Sequence, residues 1–213
     1  MIDLHTHSLL SDGELLPSEL IRRAEAVGYQ AIAITDHIDT SNYDFVLPRL
    51  IRVCKRESKR IIAIPGIEIT HVCPEDIFSL ASECRKMGAK IIIVHGETIV
   101  EPVAQGTNLK ALKSDIDILA HPGILTEREA LLARDNGIML EITSRKGHCL
   151  ANGHVVSIAK KTGARLVLNT DAHSPQDLIS LDMAKKVAIG AGLNLKDFNQ
   201  IRKNMRELLN KVI

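Results

Sequence analysis

The stretch Lys90-Ile91-Ile92-Ile93-Val94-His95-Gly96-Glu97 decides the fold. Its apolar β-branched run, ended by Gly96, reads as a short strand with both faces covered. That strand ends at a histidine. The same unit recurs along the chain. Ala31-Ile32-Ala33-Ile34-Thr35 ends at Asp36-His37, and Asp117-Ile118-Leu119-Ala120 ends at His121-Pro122-Gly123. Ile61 to Ile69 reads as a strand interrupted by Pro65-Gly66, a pair that predicts a bulge or bend, and it ends at Glu68 with His71 beyond. Ala164–Asn169 ends at Thr170-Asp171-Ala172-His173, and the opening Met1-Ile2-Asp3-Leu4 runs into His5-Thr6-His7. Ile138–Ile142 is the remaining strand. Its Glu141 lies before Thr143, so Glu141 reads as a supporting or structural group.

Helices are expected between these strands. Pro17 to Gly28 carries the usual helix punctuation, and residues 44–58 place Val46, Leu50, Val53 and Cys54 inward. Further helices are expected over 75–87, 108–114, from the Thr126-x-x-Glu129 capping box to Asn136, up to Thr162, over 174–190, and from Asn194 onward. Strand then helix, repeated, implies parallel strands with right-handed crossovers. An open sheet exposes only a few strand ends to a ligand. A barrel gathers all of them at one mouth. The spread of polar strand ends therefore predicts an α/β fold: a distorted seven-stranded barrel forming one domain over residues 1–213.

Composition narrows the function. There are 27 basic and 26 acidic residues, a net charge of +1, so no general field attracts nucleic acid or membrane. No Trp, two Tyr and three Phe leave little for stacking single-stranded bases, which argues against long nucleic acid. Cys54, Cys73, Cys84 and Cys149 form no C-x-x-C pair. The thiols, with no export signal and no apolar run near the roughly 18 residues of a spanning helix, predict a cytoplasmic protein. The basic run Lys55-Arg56-Glu57-Ser58-Lys59-Arg60 reads as a solvated helix end.

The mouth would collect His5, His7, Asp12, His37, Glu68, His95, His121, Asp171 and His173. His5 and His7, one residue apart in an extended chain, face the same way. Asp12 sits on a loop closed by Gly13. Nine ligands exceed one site and suit two or three ions. Imidazole and carboxylate without thiolate favour zinc, manganese or iron. Asp36, Glu97 and backbone carbonyls are candidates to hold the outer imidazole nitrogens. His71 is a candidate catalytic or substrate-contacting group, while His148 and His154 read as surface or substrate-contacting. Arg145 and Lys146, on a mouth loop, are candidate phosphate-binding cations.

These motifs, from Asp3-Leu4-His5-Thr6-His7 through Ser11-Asp12-Gly13, Thr35-Asp36-His37, Gly66-Ile67-Glu68, Val94-His95-Gly96 and Ala120-His121-Pro122-Gly123 to Thr170-Asp171-Ala172-His173, resemble the polymerase and histidinol phosphatase (PHP) family. The resemblance implies a distorted seven-stranded barrel and a multinuclear metal site. It implies that His5, His7, Glu68 and Asp171 hold one ion, that Glu68, His95 and His121 hold a second with Glu68 bridging, and that Asp12, His37 and His173 hold a third. Some relatives carry His where this chain has Asp12. Amidohydrolases share the H-x-H start, but bridge their metals with a lysine on the fourth strand, where this chain has His95.

The activity so implied is phosphoester hydrolysis, with Glu68 as metal bridge and His71 as candidate acid. The first expectation is a phosphomonoesterase of histidinol-phosphatase type, acting on a small phosphorylated substrate. A nuclease or nucleotide phosphatase is the alternative. A non-catalytic regulatory or binding module is the reading from another class.

Overall fold

The computed structural model of the chain describes residues 1–59 and 61–213, so Arg60 of the basic run lies outside the described residues. Among the described residues there are eight strand segments: β1 (Ile2–Asp3), β2 (Ala31–Ile34), β3 (His37–Ile38), β4 (Ile62–Ile69), β5 (Ile91–His95), β6 (Ile118–Ala120), β7 (Met139–Thr143) and β8 (Leu166–Asn169). All pair in parallel, in the order β1-β2-β4-β5-β6-β7-β8, with β3 also on β4. Because β3 follows β2 after two residues and pairs with the same neighbour, the two form one stave, and the staves number seven.

The last stave meets the first only at the top. Thr6 bridges Ala172, the His7 N–H donates to the Ala172 carbonyl at 2.8 Å, and the Asp171 N–H donates to the His5 carbonyl at 2.9 Å. Lower down, side chains replace the backbone ladder. The Leu4 N–H donates to Asn169 Oδ1 at 2.9 Å, and buried Asp3 accepts from the Thr170 N–H and Oγ1. Burial pushes the Asp3 carboxyl up to about 6. The result is a nearly closed parallel barrel, tight at the mouth and splayed below.

Helices cover the outside: α1 (Pro17–Val27), α2 (Tyr43–Glu57), α3 (Ile77–Met87), α4 (Thr107–Ala111), α5 (Glu127–Asn136), α6 (Asn152–Thr162), α7 (Leu181–Gly190) and α8 (Leu195–Val212). Capping boxes at Thr126–Glu129 and Asn194–Asp197 start α5 and α8 as their sequences require. α8 buries Phe198, Ile201, Met205, Leu208, Leu209 and Val212, and packs on β8 and β1 across the splayed seam. In α2 the inward positions are Val46, Leu47, Leu50 and Cys54, with Val53 only partly covered. Residues 74–76 and 175–177 are 3₁₀ turns; the first leads directly into α3, and the second is separated from α7.

Pro65-Gly66 does not interrupt β4. Ile62–Pro65 register with β2 and Gly66–Ile69 with β5. Glycine is required by crowding: a Cβ at position 66 would lie 2.7 Å from Thr35 Cγ2 and 2.8 Å from the Ile91 carbonyl oxygen. The break falls instead in the neighbouring stave, between β2 and β3. It leaves the Asp36 carbonyl accepting from the Glu68 N–H at 3.1 Å. Among the described residues no helix is long and apolar enough to cross a membrane.

Candidate metal centre

Six staves deliver polar side chains to the mouth. β1 continues into His5 and His7, which are wholly buried or nearly so, together with Glu68 on β4 and Asp171 after β8. His5 Nε2 lies 3.2 Å from Glu68 Oε2 and 3.7 Å from Asp171 Oδ1. His7 Nε2 lies 3.4 Å and 3.2 Å from the same two oxygens. His121 Nε2, at the end of β6, lies 3.8 Å from Glu68 Oε1 and 3.6 Å from Asp171 Oδ2. Glu68 thus presents one oxygen to each side.

A neighbouring group forms around Asp12. Its Oδ1 is 3.2 Å from His173 Nε2 and 3.6 Å from His37 Nε2. The His7 ring stacks between them, with centroids 4.1 Å from His173 and 4.2 Å from His37. Ligand atoms of His7, Asp12, His37 and His173 all fall within 4.8 Å of one another, as do those of His5, His7 and Glu68, and those of His5, His121 and Asp171.

Hydrogen bonding behind the rings fixes which nitrogen faces inward. His5 Nδ1 is 2.8 Å from Glu141 Oε2, an acceptor also bound by Asn169 Nδ2. His173 Nδ1 donates to the Asp171 carbonyl at 2.9 Å, and His95 Nδ1 to the Gly96 carbonyl at 3.1 Å. With the proton on Nδ1, a neutral ring turns its Nε2 lone pair inward, as a metal ligand must. Asp36 and Glu97 do not fill this role. Asp36 accepts from the Ser8 N–H, Ser8 Oγ and Ser11 Oγ, which shapes the loop carrying Asp12. Glu97 accepts from the N–H groups of Gly106 and Asn108, which folds the β5–α4 loop.

The protein spends backbone strain here. Among the described residues the non-glycine positions with positive φ are His71, His121 and Asp171, at 53°, 25° and 54°, all at the mouth. Gly13 has no room for a side chain, since a Cβ would lie 2.4 Å from the His7 carbonyl oxygen. That contact presses the Asp12 loop onto the first stave.

Eight buried side-chain nitrogen and oxygen atoms lack a hydrogen-bond partner among the described residues. They are His5 Nε2, both His7 ring nitrogens, both Glu68 oxygens, His121 Nδ1, Glu141 Oε1 and Asp171 Oδ1, with His37 Nδ1 2.9 Å from Glu68 Oε2 but outside hydrogen-bond geometry. Leaving so many unsatisfied would cost on the order of 10 kcal/mol, at about 1–3 kcal/mol each. All belong to one cluster of imidazoles and carboxylates, the donor set that suits divalent ions of the zinc, manganese and iron kind. Burial, with His37 and His173 alongside, holds His7 well below the ordinary imidazole value; burial, with His95 alongside, does the same for His121. Both shifts favour the neutral ring that ligation requires. Burial pushes Glu68 upward, but His5 and His37 outweigh it and hold the carboxyl well below its usual range. Burial raises Asp171 to about 7.

His148 departs from expectation. It is buried, its ring stacks on His121 at 4.2 Å, and its Nε2 faces Glu101 of the β5–α4 loop. His154 is half-buried with Nε2 2.7 Å from the Leu125 carbonyl, a structural bond away from the mouth. His71 lies at the rim, 3.2 Å from Glu101 Oε2. Arg145 Nη1 is 3.2 Å from Asp177 Oδ2, the oxygen that also accepts from the His173 and Ser174 N–H groups, and Lys146 is exposed beside it.

Comparison with known proteins agrees with this geometry. The family model described as the PHP domain matches residues 3–162. The chain belongs to the PHP-domain family. The uncharacterized protein MJ1295 of Methanocaldococcus jannaschii is 46% identical to it over 216 residues, covering 99% of each chain. A Thermoanaerobacter sp. protein named a probable phosphatase is 25% identical over 242 residues, covering 100% of this chain and 97% of its own. The fold also resembles a chain in the structure of archaeal ribonuclease P with mature tRNA. The TM-score is 0.75 at 17% identity, over 99% of this chain and 90% of that one, a likeness of fold alone. Asp171 and His173 of this PHP chain lie beyond the matched residues, yet the closing stave brings them onto His5, His7 and Asp12.

Proposed function

We propose that the chain is a metal-dependent phosphoesterase acting on a small phosphomonoester, of the histidinol-phosphatase type. The observation that carries this reading is the convergence of unpartnered buried atoms from His5, His7, Glu68 and Asp171 at the barrel mouth, with His121 Nε2 turned toward the same carboxylates. Membership of the PHP family and the likeness to a protein named a probable phosphatase support the phosphoester chemistry. His5, His7, Glu68 and Asp171 would hold one ion, Glu68, His95 and His121 a second, and Asp12, His37 and His173 a third.

Divalent ions bound there supply Lewis-acid polarisation of the phosphoryl oxygens and a water of lowered pKa. The remaining work falls to the chain. Glu141 keeps the His5 ring in register from behind. Asp36, through Ser8 and Ser11, positions the Asp12 loop. Arg145, with one N–H engaged by Asp177, keeps further donors of its planar fork for a phosphoryl oxygen, and Lys146 adds charge at the rim. His71 hands a proton to the leaving oxygen.

The test is a comparison of initial rates, for metal-loaded protein, on a phosphomonoester, a phosphodiester and a labelled oligonucleotide. The proposal expects the monoester to turn over fastest, with Arg145→Ala raising KM more than it lowers kcat. Turnover confined to the oligonucleotide would replace the monoesterase reading with a nuclease.

A further inference from the structure

The β5–α4 connection, residues 96–106, bends back over the mouth and brings one carboxylate into the ring of histidines. Glu101 Oε2 lies 3.1 Å from His95 Nε2 and 3.2 Å from His71 Nε2, while its Oε1 lies 3.3 Å from His148 Nε2. Glu101 and His148 are both outside the ligand set that the family resemblance supplies. The resemblance groups His95 with Glu68 and His121. In this chain the ligand atoms of His95 cluster with those of His71 and Glu101, and with those of His121 and His148.

The hydrogen bonds behind two of these rings matter most. A carbonyl oxygen can only accept, so the 3.1 Å bond from His95 Nδ1 to the Gly96 carbonyl puts the proton on Nδ1. The Nε2 lone pair of the neutral ring then faces the Glu101 carboxylate. Two lone pairs at 3.1 Å need something positive between them, a second proton or a metal ion. His5 with Glu68 and His173 with Asp12 show the same arrangement: an acceptor behind the ring and a carboxylate 3.2 Å in front. His148 Nδ1 is likewise engaged, by Thr98 Oγ1 at 2.8 Å, and the ring is buried beneath the loop.

Spacing separates a shared ion from a direct ion pair. A charge-assisted N–H···O bond closes to about 2.7–2.9 Å. Two ligands of one tetrahedral ion, each about 2.0–2.1 Å from it, stand about 3.3 Å apart. The His148 contact, at 3.3 Å, matches the second value, and the His95 contact, at 3.1 Å, is longer than the first.

We propose that Glu101 and His148 are ligands of the divalent ion that His95 holds, so that the β5–α4 loop is fastened over the mouth when that ion binds. This rests on the metal-centre reading above. Glu101 acts as a strap: it reaches the ion from a loop otherwise tied down by Glu97 and by the Asn108 side chain, which donates to the Pro122 carbonyl. Loss of the strap would open the second position while leaving the His5–His7–Glu68–Asp171 position intact.

The experiment loads metal-stripped full-length protein with Zn²⁺ or Mn²⁺, and reads bound ions per chain by elemental analysis and protease cleavage within residues 97–106. Wild type is compared with Glu101→Gln and with His148→Asn. The expected result is one ion fewer per chain, or at least a 10-fold weaker affinity for one ion, in each variant, and metal-dependent protection of the loop in wild type only. Glu101→Asp should recover part of the affinity. Glu101 lies in an exposed loop, so its variants test the strap even if His148→Asn fails to fold. Wild-type stoichiometry, affinity and protection in Glu101→Gln would overturn the inference and leave the metal centre standing. A wild-type chain that binds no ion would overturn both.

Discussion

Glu141 Oε2 lies 2.8 Å from His5 Nδ1, at the back of the ring whose Nε2 faces Glu68. The same oxygen accepts from Asn169 Nδ2, and Asn169 Oδ1 accepts from the Leu4 N–H. One carboxylate thus ties β7, β8 and the first stave together behind a candidate ligand. Partners behind ligating histidines are commonly worth 10–100-fold in metal affinity. Glu141→Gln is expected to weaken the ion at His5 by that order, read by calorimetric titration of stripped protein. Glu68→Gln should do more, because both its oxygens face ligand atoms.

Asp36 organises the Asp12 loop by accepting three hydrogen bonds from Ser8 and Ser11. Asp36→Ala removes those bonds and strands buried donors. A loss of about 2–4 kcal/mol is expected in urea unfolding. It should be accompanied by loss of the ion at Asp12, His37 and His173 before the ion at His5 and His7.

Two positive-φ glycines separate crowding from backbone preference. At Gly123, φ is 65° and a Cβ would lie 1.9 Å from the Glu97 carbonyl oxygen. At Gly137, the αL cap of α5, φ is 72° with nothing within 4 Å. Gly137→Ala should cost only the left-handed penalty, about 1–2 kcal/mol. Gly123→Ala should cost clearly more in the same unfolding assay, because the loop after β6 must move off the β5 loop.

Burial pushes the Cys54 thiol up to about 12 and the Cys84 thiol up to about 11, from an ordinary value near 9. Cys73 is exposed. Alkylation of native protein at pH 8, read by peptide mass spectrometry, should modify Cys73 and spare Cys54 and Cys84. The sign for stability follows. Above pH 9 the unfolded chain loses the Cys54 proton while the folded chain keeps it, so this contribution declines as pH rises from 9 toward 12. Cys54→Ala should show a flatter stability profile over that window.

Much of the barrel was legible in the sequence, because strands covered on both faces must be apolar throughout. Ile91–Val94 and Ala31–Ile34 announce themselves without any turn motif. The candidate ligands at the strand ends were legible for the same reason: His37, Glu68, His95 and His121 each follow or close an apolar run. Glu101 and His148 were not. Their place depends on how two loops cross the mouth, set within one loop by Glu97 and Asn108 and between the loops by Thr98 and His148, 50 residues apart. Arg145 was visible as a mouth cation, but its partner Asp177 lies 32 residues away. The interruption expected at Pro65-Gly66 is absent, because the glycine answers to crowding against Thr35 and Ile91 within a continuous strand.

The most direct test of the metal-centre proposal is the initial rate of phosphomonoester hydrolysis by chelator-stripped protein, before and after adding Mn²⁺, Zn²⁺ or Fe²⁺, with residual metal measured on the same sample. Activity should vanish on stripping and return with metal in the wild type, and should fail to return in His7→Ala. Full activity in protein shown by elemental analysis to be free of metal would contradict it.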